Sequence, residues 1–286
     1  MTVRSARRLT AILGHRVLLL CFIAFAIFPF YWMVVTTFKQ NADLYVGATN
    51  VQHNPFLFNR PPTLEHLRTL FGQTLYTTWL CNTLWVGVVV VVVTLGLAVP
   101  AGYSLARLTG RWGERLSIGI FLTYLVPSTL LFIPFSRLVS LLGLQNSLWS
   151  LVLIYPTFTV PFCTWLLMGF FKSLPREVEE SAMVDGCTRT QAFVKVIFPL
   201  LAPGLMATSL FGFVTAWNEF PLVLILNKDI EKQTLPLWLS SFQTTFGDDW
   251  GATMAAASLF ALPILILFVF LQRKAVSGLT SGAVKG

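Results

Sequence analysis

Between Lys172 and Pro203 the sequence reads KSLPREVEESAMVDGCTRTQAFVKVIFPLLAP, the longest strongly charged interruption in a chain otherwise built of membrane-length apolar runs. Its chemistry is that of docking rather than bond-breaking. Glu177, Glu179 and Glu180 follow Pro175. That order suits the first turn of a helix, where proline needs no amide donor and the helix dipole favours negative charge. Gly186 then breaks the pattern. Phe193, Val196, Ile197 and Leu200 recur at i, i+3, i+4 and i+7, the spacing of a second helix with one apolar face. Pro199 and Pro203 close the unit. Segment 172–203 therefore reads as two helices set outside a bilayer between two spans, with a polar face free for a partner.

No arrangement in the sequence supports catalysis. The chain contains no G-x-x-x-x-G-K-[ST] run, so it cannot itself be an ATPase, and its closing Gly282-Ala283-Val284-Lys285-Gly286 has the wrong spacing for a phosphate loop. Cys21, Cys81, Cys163 and Cys187 show no paired spacing, and His15, His53 and His66 are unclustered, so neither disulfides nor a metal site is expected. Glu219, in Ala216-Trp217-Asn218-Glu219-Phe220, is the ionisable residue that lies inside an apolar run. A carboxylate at mid-bilayer costs about 2.5–3.5 kcal/mol on insertion scales, so it should face the protein interior or water. Three readings stay open: a relay in an ion-coupled transporter, the lining of a polar pathway, or a structural hydrogen bond near the outer interface. The apolar run ends at Leu226, less than two helical turns of about 5.4 Å away, which favours the latter two. Trp217 and Phe220 offer faces on which a sugar ring could stack, although an interfacial aromatic belt is the better account of Trp217 alone.

Composition sets the elements that must hold these residues. Of 286 residues, 55% are hydrophobic and 11% charged, where soluble domains carry about 25% charged. The expected fold is an all-α, polytopic membrane protein, a single domain over 1–286. A net charge of +8 is read as lysine and arginine in inner loops facing anionic lipid. No basic run interleaves with aromatics, so nucleic acid is not an expected partner. Six spans are predicted, over 17–38, 79–105, 116–139, 148–171, 204–226 and 252–271. The first follows a basic start, but its apolar run is too long for a signal-peptide core and no small-x-small cleavage site follows, so it is expected to stay uncleaved. The run Val88–Val93 would suggest a strand in water. In lipid an isolated strand leaves its backbone unsatisfied, so helix is expected. Segments 39–76, 140–147 and 227–250 are predicted outside, and the tail 272–286 inside.

Charge orients this topology. Arg4, Arg7, Arg8, Arg16, Arg107, Arg111, Arg115, Lys172, Arg176, Arg189, Lys195, Arg273, Lys274 and Lys285 fall on one side. Lys39, Arg60, Arg68, Arg137, Lys228 and Lys232 fall on the other. The larger set marks the cytoplasm, giving N-in and C-in and placing 172–203 inside.

Residue order within that segment carries a resemblance. Glu180-Ser181-Ala182, then Gly186, then Val196-Ile197-Phe198-Pro199 resembles the EAA motif of ABC importer permeases: E-A-A, three residues, G, nine residues, I-x-L-P. Glu180, Ala182, Gly186 and Pro199 match in register, while Ser181, Val196 and Phe198 replace alanine, isoleucine and leucine. Pro175, the Asp185-Gly186 pair, Trp217-Asn218-Glu219 and the C-terminal run Gly278–Gly286 narrow the resemblance to the carbohydrate-uptake branch. There the chain is similar, over nearly its whole length, to the smaller permease of maltose-type systems. The resemblance implies a multi-pass subunit of a prokaryotic plasma membrane, with no enzymatic site or bound cofactor of its own, ATP and Mg being held by partner subunits. Its implied partners are a homologous second permease, two ATPase subunits and an extracytoplasmic binding protein delivering a sugar or oligosaccharide. Glu180, Ser181, Ala182, Asp185, Gly186, Val196, Phe198 and Pro199 become ATPase-coupling residues, with Glu180 meeting a basic residue of the ATPase and Gly186 making the turn. Trp217, Asn218 and Glu219 become a candidate substrate pathway. Gly282, Ala283, Val284, Lys285 and Gly286 become a tail contact with the ATPase. The alternatives are another cargo, such as a polyol or glycerol phosphate, or an ion-coupled secondary transporter. The latter should show internal repeat symmetry or paired intramembrane charges, and neither is visible in the sequence.

Overall fold

A computed structural model describes residues 3–45, 53–245 and 249–283. Among these residues every regular element is helical, as the lipid argument requires of the valine run in particular. Four segments are long and apolar enough to cross a membrane: Ile12–Phe38, Tyr76–Leu108, Leu148–Ser173 and Trp250–Phe270. They match the first, second, fourth and sixth expected spans.

The third and fifth expected spans are broken. Gly110–Tyr124 and Ser128–Leu141 meet at 79°, with Pro127 in extended backbone at the joint (ψ 124°). Proline there removes a donor and biases the preceding residue away from helical geometry. In the fifth region, helix Ala202–Trp217 stops at Asn218, and Pro221–Leu226 forms a separate short helix. The segment before it, Arg189–Leu200, is inclined at 72° to Ala202–Trp217.

The chain divides into two compact units, residues 1–76 with 241–261, and residues 77–240 with 262–286. In the first unit, helix Val3–Phe38 leaves its apolar window unburied, the surface expected of a segment meeting lipid or another membrane subunit. The chain after it is held by polar contacts. Lys39 Nζ donates to the carbonyl of Pro55 (2.6 Å). The buried Asp43 carboxylate accepts the backbone amides of Asn59 (3.1 Å) and Arg60 (3.2 Å). His66, buried on the short helix Glu65–Gln73, has Nε2 2.8 Å from the Lys39 carbonyl and Nδ1 3.5 Å from the Asp249 carboxylate. Burial lowers the pKa of Lys39 below the ordinary lysine value, and the nearby Asp43 charge opposes that shift. The described residues after the first helix, 39–45 and 53–76, are thus a built structure with its own buried polar groups.

In the second unit, helices Tyr76–Tyr103 and Pro156–Ser173 pack closely. A Cβ on Gly102 would lie 3.1 Å from Leu167 Cβ and 3.2 Å from the Met168 amide nitrogen. Lipid supplies no hydrophobic drive to pair spans, so close packing and interhelical hydrogen bonds must hold them. The buried Thr94–Thr159 hydroxyl pair (2.6 Å) is one such bond, worth about 0.6 kcal/mol by the average for intramembrane bonds. Two apolar clusters follow. One gathers Val86, Val90, Leu151, Ile154 and Leu222. The other gathers Ala98, Tyr103, Leu167, Phe171, Ile197 and Leu201, and lies under the charged segment. At the start of helix Tyr76–Tyr103, Trp79 stacks on Trp238 (4.8 Å), and Asn82 Nδ2 donates to the carbonyls of Glu231 and Gln233 (2.8 Å each).

Candidate functional site: the charged segment between two spans

The segment 172–203 folds as its residue types dictate. Helix Arg176–Val184 starts after Pro175, with Glu177 and Glu179 in its first turn. It ends on a left-handed residue, Gly186, at φ +91°. The Gly186 amide donates to the Met183 carbonyl (3.1 Å) and the Cys187 amide to the Ala182 carbonyl (3.0 Å). Both otherwise orphaned carbonyls are satisfied, the Schellman pattern that glycine permits. Two residues on, Thr188 opens the next helix through a capping box. Its hydroxyl accepts the Gln191 amide (3.3 Å), and the Gln191 side chain accepts the Thr188 amide (2.9 Å).

The second helix carries a π-helical stretch, Phe193–Ile197. This changes its buried face. The expected stripe of Phe193, Val196, Ile197 and Leu200 holds only in part: Ile197 is fully buried, Phe193 and Val196 half-buried, and Leu200 exposed. Leu201 is buried in its place. A π turn contains an extra residue, which moves the i+7 position off the packed side and brings i+8 onto it.

The other motif residues divide by exposure. Glu180, Ser181, Asp185, Gly186, Phe198 and Pro199 are exposed, and Ala182 is buried against the unit. The Ser181 hydroxyl donates to the Val178 carbonyl (3.2 Å). Glu180 and the C-cap residue Asp185 thus stand on the exposed side of a short helix closed at its C-terminus by the Gly186 turn.

The neighbouring Glu179 turns the opposite way. It is 6% exposed. Its Oε1 accepts a hydrogen bond from the Tyr103 hydroxyl, and its Oε2 lies 3.7 Å from Arg107 Nε. Arg107 Nη2 donates to the Leu174 carbonyl (2.7 Å), in the link between the Leu148–Ser173 segment and Arg176–Val184. A second π-helical stretch, Ser104–Leu108, carries Arg107. Over the pair opens a cleft of about 70 Å³ lined by Arg107, Arg176, Glu179, Glu180, Met183 and Arg189. In the sequence Arg107 reads as an inner-side charge and Glu179 as one of three acids in the first helix. The only signal that separates Glu179 from Glu180 is their angular offset of about 100° on one helix, which gains meaning once the packed side is known.

The residues proposed for a pathway are brought to one helix break. Trp217 is fully buried and stacked on Phe213 (5.2 Å, 26°), so its ring is not available to a sugar from this surface. Asn218 is exposed, with Nδ2 donating to the Val214 carbonyl (2.8 Å). Glu219 is half-buried, and its Oε1 accepts the Leu222 amide (3.1 Å), capping helix Pro221–Leu226. That bond is the structural one among the three readings of Glu219. Among the tail residues, Gly282 and Ala283 end helix Trp250–Ala283, while Val284, Lys285 and Gly286 lie outside the described residues.

Comparison with known proteins gives this arrangement a family. Residues 98–280 match the family described as binding-protein-dependent transport system inner membrane component, a match that contains the whole charged segment. The chain is 52% identical over 260 residues, 91% of its own length and 92% of the relative's, to the diacetylchitobiose uptake system permease protein DasC of Streptomyces coelicolor. It is 32% identical over 264 residues, covering 91% of itself and 92% of the relative, to the trehalose/maltose transport system permease protein MalG of Thermococcus litoralis. Its fold is similar, at TM-score 0.78 and 22% identity over 96% of this chain and 98% of the other, to a chain of a bacterial ABC transporter importing the acidic polysaccharide alginate. With its membrane-length helices and this match over most of its length, the chain belongs to the inner-membrane permease components of binding-protein-dependent ABC transporters, which are not themselves enzymes.

Proposed function

We propose that this chain is the smaller of two permease subunits in an ATP-driven importer of a sugar or oligosaccharide, six-spanning with both termini in the cytoplasm. It forms half of the pathway and couples to an ATPase subunit through helix Arg176–Val184. The observation that carries the coupling reading is a short helix, closed at its C-terminus by the Gly186 turn and followed directly by a capped second helix, that leaves Glu180 and Asp185 exposed while Ala182 and Glu179 face the protein. A partner pushing on such a helix moves the spans behind it, whereas a floppy loop would absorb the motion. This is a two-state rearrangement biased by differential contacts. Six spans are reached when the bent pair Gly110–Tyr124 and Ser128–Leu141 is counted as one span, and Ala202–Trp217 with Pro221–Leu226 as another, beside the four membrane-length helices. The excess of lysine and arginine on the side of segment 172–203 supports its cytoplasmic placement.

The partners in this reading are a second permease, two ATPase subunits that hold ATP and Mg, and an extracytoplasmic binding protein. A related importer fold has been solved in complex with a periplasmic protein carrying an alginate pentasaccharide. N,N′-diacetylchitobiose is the first cargo to test, given the 52% identical relative.

The test is uptake of labelled N,N′-diacetylchitobiose by cells carrying the whole system, with and without this chain, and with Glu180→Ala. We expect uptake to require the chain, and Glu180→Ala to lower it about tenfold or more, the loss of one desolvated charged contact at an interface. Normal uptake by a Glu180→Ala protein present at wild-type level removes the coupling role. Uptake of maltose or of glycerol phosphate but not of the chitobiose reassigns the cargo.

A further inference from the structure

We propose that Tyr103, Arg107 and Glu179 form a buried latch that fixes the coupling helix to the end of the Tyr76–Leu108 span, so that motion of one is delivered to the other. The proposal rests on the coupling reading above and adds to it the internal side of the joint.

Glu179 sits on a helix of nine residues whose other acids, Glu177 and Glu180, are exposed, yet it is itself 6% exposed. A carboxylate stays in such a place only with partners. Tyr103 and Arg107 supply them, one hydroxyl donor on Oε1 and one guanidinium 3.7 Å from Oε2. The Arg107 side chain is also buried, 6% exposed. Its Nε has no hydrogen-bond partner, since 3.7 Å exceeds bonding reach, so the attraction at that atom is one of charge. Its Nη2 is bonded to the Leu174 carbonyl (2.7 Å). One arginine therefore touches both the coupling helix and the link that joins it to the Leu148–Ser173 segment.

The ring of Tyr103 is gripped from two further sides, edge-on to Phe171 (5.6 Å) and to Phe193 (4.7 Å). These belong to the helices before and after the coupling helix. The three polar residues and two rings thus join all three helices around the coupling segment to the end of the span.

Stability alone is a poor reason for this pair, because apolar replacements of buried ion pairs are commonly neutral or better. Registry is the better reason. A surface helix held only by apolar contacts can slide or roll with little change in energy, whereas sliding this one separates opposite charges in a low-dielectric pocket. Tyr103, Arg107 and Glu179 are positioning residues in this account. They touch neither cargo nor nucleotide, and they decide how much of an ATPase stroke reaches the span.

The experiment uses the complete complex in liposomes with its binding protein and N,N′-diacetylchitobiose. The readouts are sugar imported per ATP hydrolysed and the ATPase retained on purification. We expect Glu179→Gln and Arg107→Gln to assemble with the ATPase and lower the ratio about threefold or more, each leaving one member of the pair unpartnered. The double variant Arg107→Gln/Glu179→Gln should fall less than the worse single, because no charge is left unpaired. A merely structural role would reduce the amount of complex and leave the ratio unchanged. A wild-type ratio in both single variants, beside a Glu180→Ala complex that has lost transport, overturns the latch and leaves the coupling reading standing. Wild-type transport by Glu180→Ala overturns the coupling reading and the latch with it. Where Glu179→Gln does not accumulate, Tyr103→Phe decides, since it deletes a single hydroxyl: a lowered ratio supports the latch and an unchanged ratio sinks it.

Discussion

Gly186 turns the chain at φ +91°, a region L side chains rarely adopt, and a Cβ added there would meet nothing within 4 Å. The cost of a substitution is therefore backbone strain alone, about 1–2 kcal/mol for a β-branched residue and less for asparagine, which tolerates left-handed geometry. We expect Gly186→Val to lower transport while the protein stays in the membrane, and Gly186→Asn to recover most of it. Equal loss in the two variants, measured at matched expression, would show that something other than the turn is at stake. Glu219 is a contrasting residue. Its bond to the Leu222 amide answers a local need created by the break before Pro221, and the aromatic ring beside it is sealed against Phe213. The sequence placed a carboxylate in an apolar run but left its purpose open, because a capping bond and a pathway lining demand the same residue type.

At the scale of elements, the charged segment was legible where local chemistry acts. Pro175, the acidic first turn and Gly186 mark the first helix because each acts within one turn of itself. Thr188 and Gln191 have capping-box spacing, also a local signal, and they fix the second helix. Thr188→Ala removes that cap at a cost of about 1 kcal/mol. Amide exchange over 188–192 should then quicken by about fivefold, the population factor for that energy, and an unchanged rate would mean tertiary contacts alone hold the turn. The π stretches at 104–108 and 193–197 were not legible. They follow from what each helix packs against, and the one at 193–197 is what exchanges Leu200 for Leu201 at the core. The breaks at Pro127 and at Asn218–Phe220 are intermediate cases. Proline announces that a kink is permitted, and only packing decides whether it becomes a bend of 79°.

For the molecule as a whole, topology is the property most directly open to test. In a cysteine-free background, a single cysteine in place of exposed Glu180 should react with an impermeant maleimide only from the cytoplasmic side, and one in place of exposed Lys228 only from the outside. Labelling of both from one side would refute the crossing between them that the six-span arrangement requires. The family match covering 98–280 leaves the first span outside its limits, so the orientation of the N-terminus rests on Arg4, Arg7, Arg8 and Arg16.

By itself, the sequence determined that the chain is helical and membrane-spanning, where its polar segment lies, and which family that segment resembles. Hydropathy, proline, glycine and charge placement act over one turn or one span, and lipid forbids the alternatives to helix. The tertiary structure alone decided that Glu179 faces inward while Glu180 faces out, that Arg107 reaches both helix Arg176–Val184 and Leu174, and that Trp217 is sealed in the core. These depend on which side of a helix meets which neighbour, and for residues far apart in the chain that is fixed by packing.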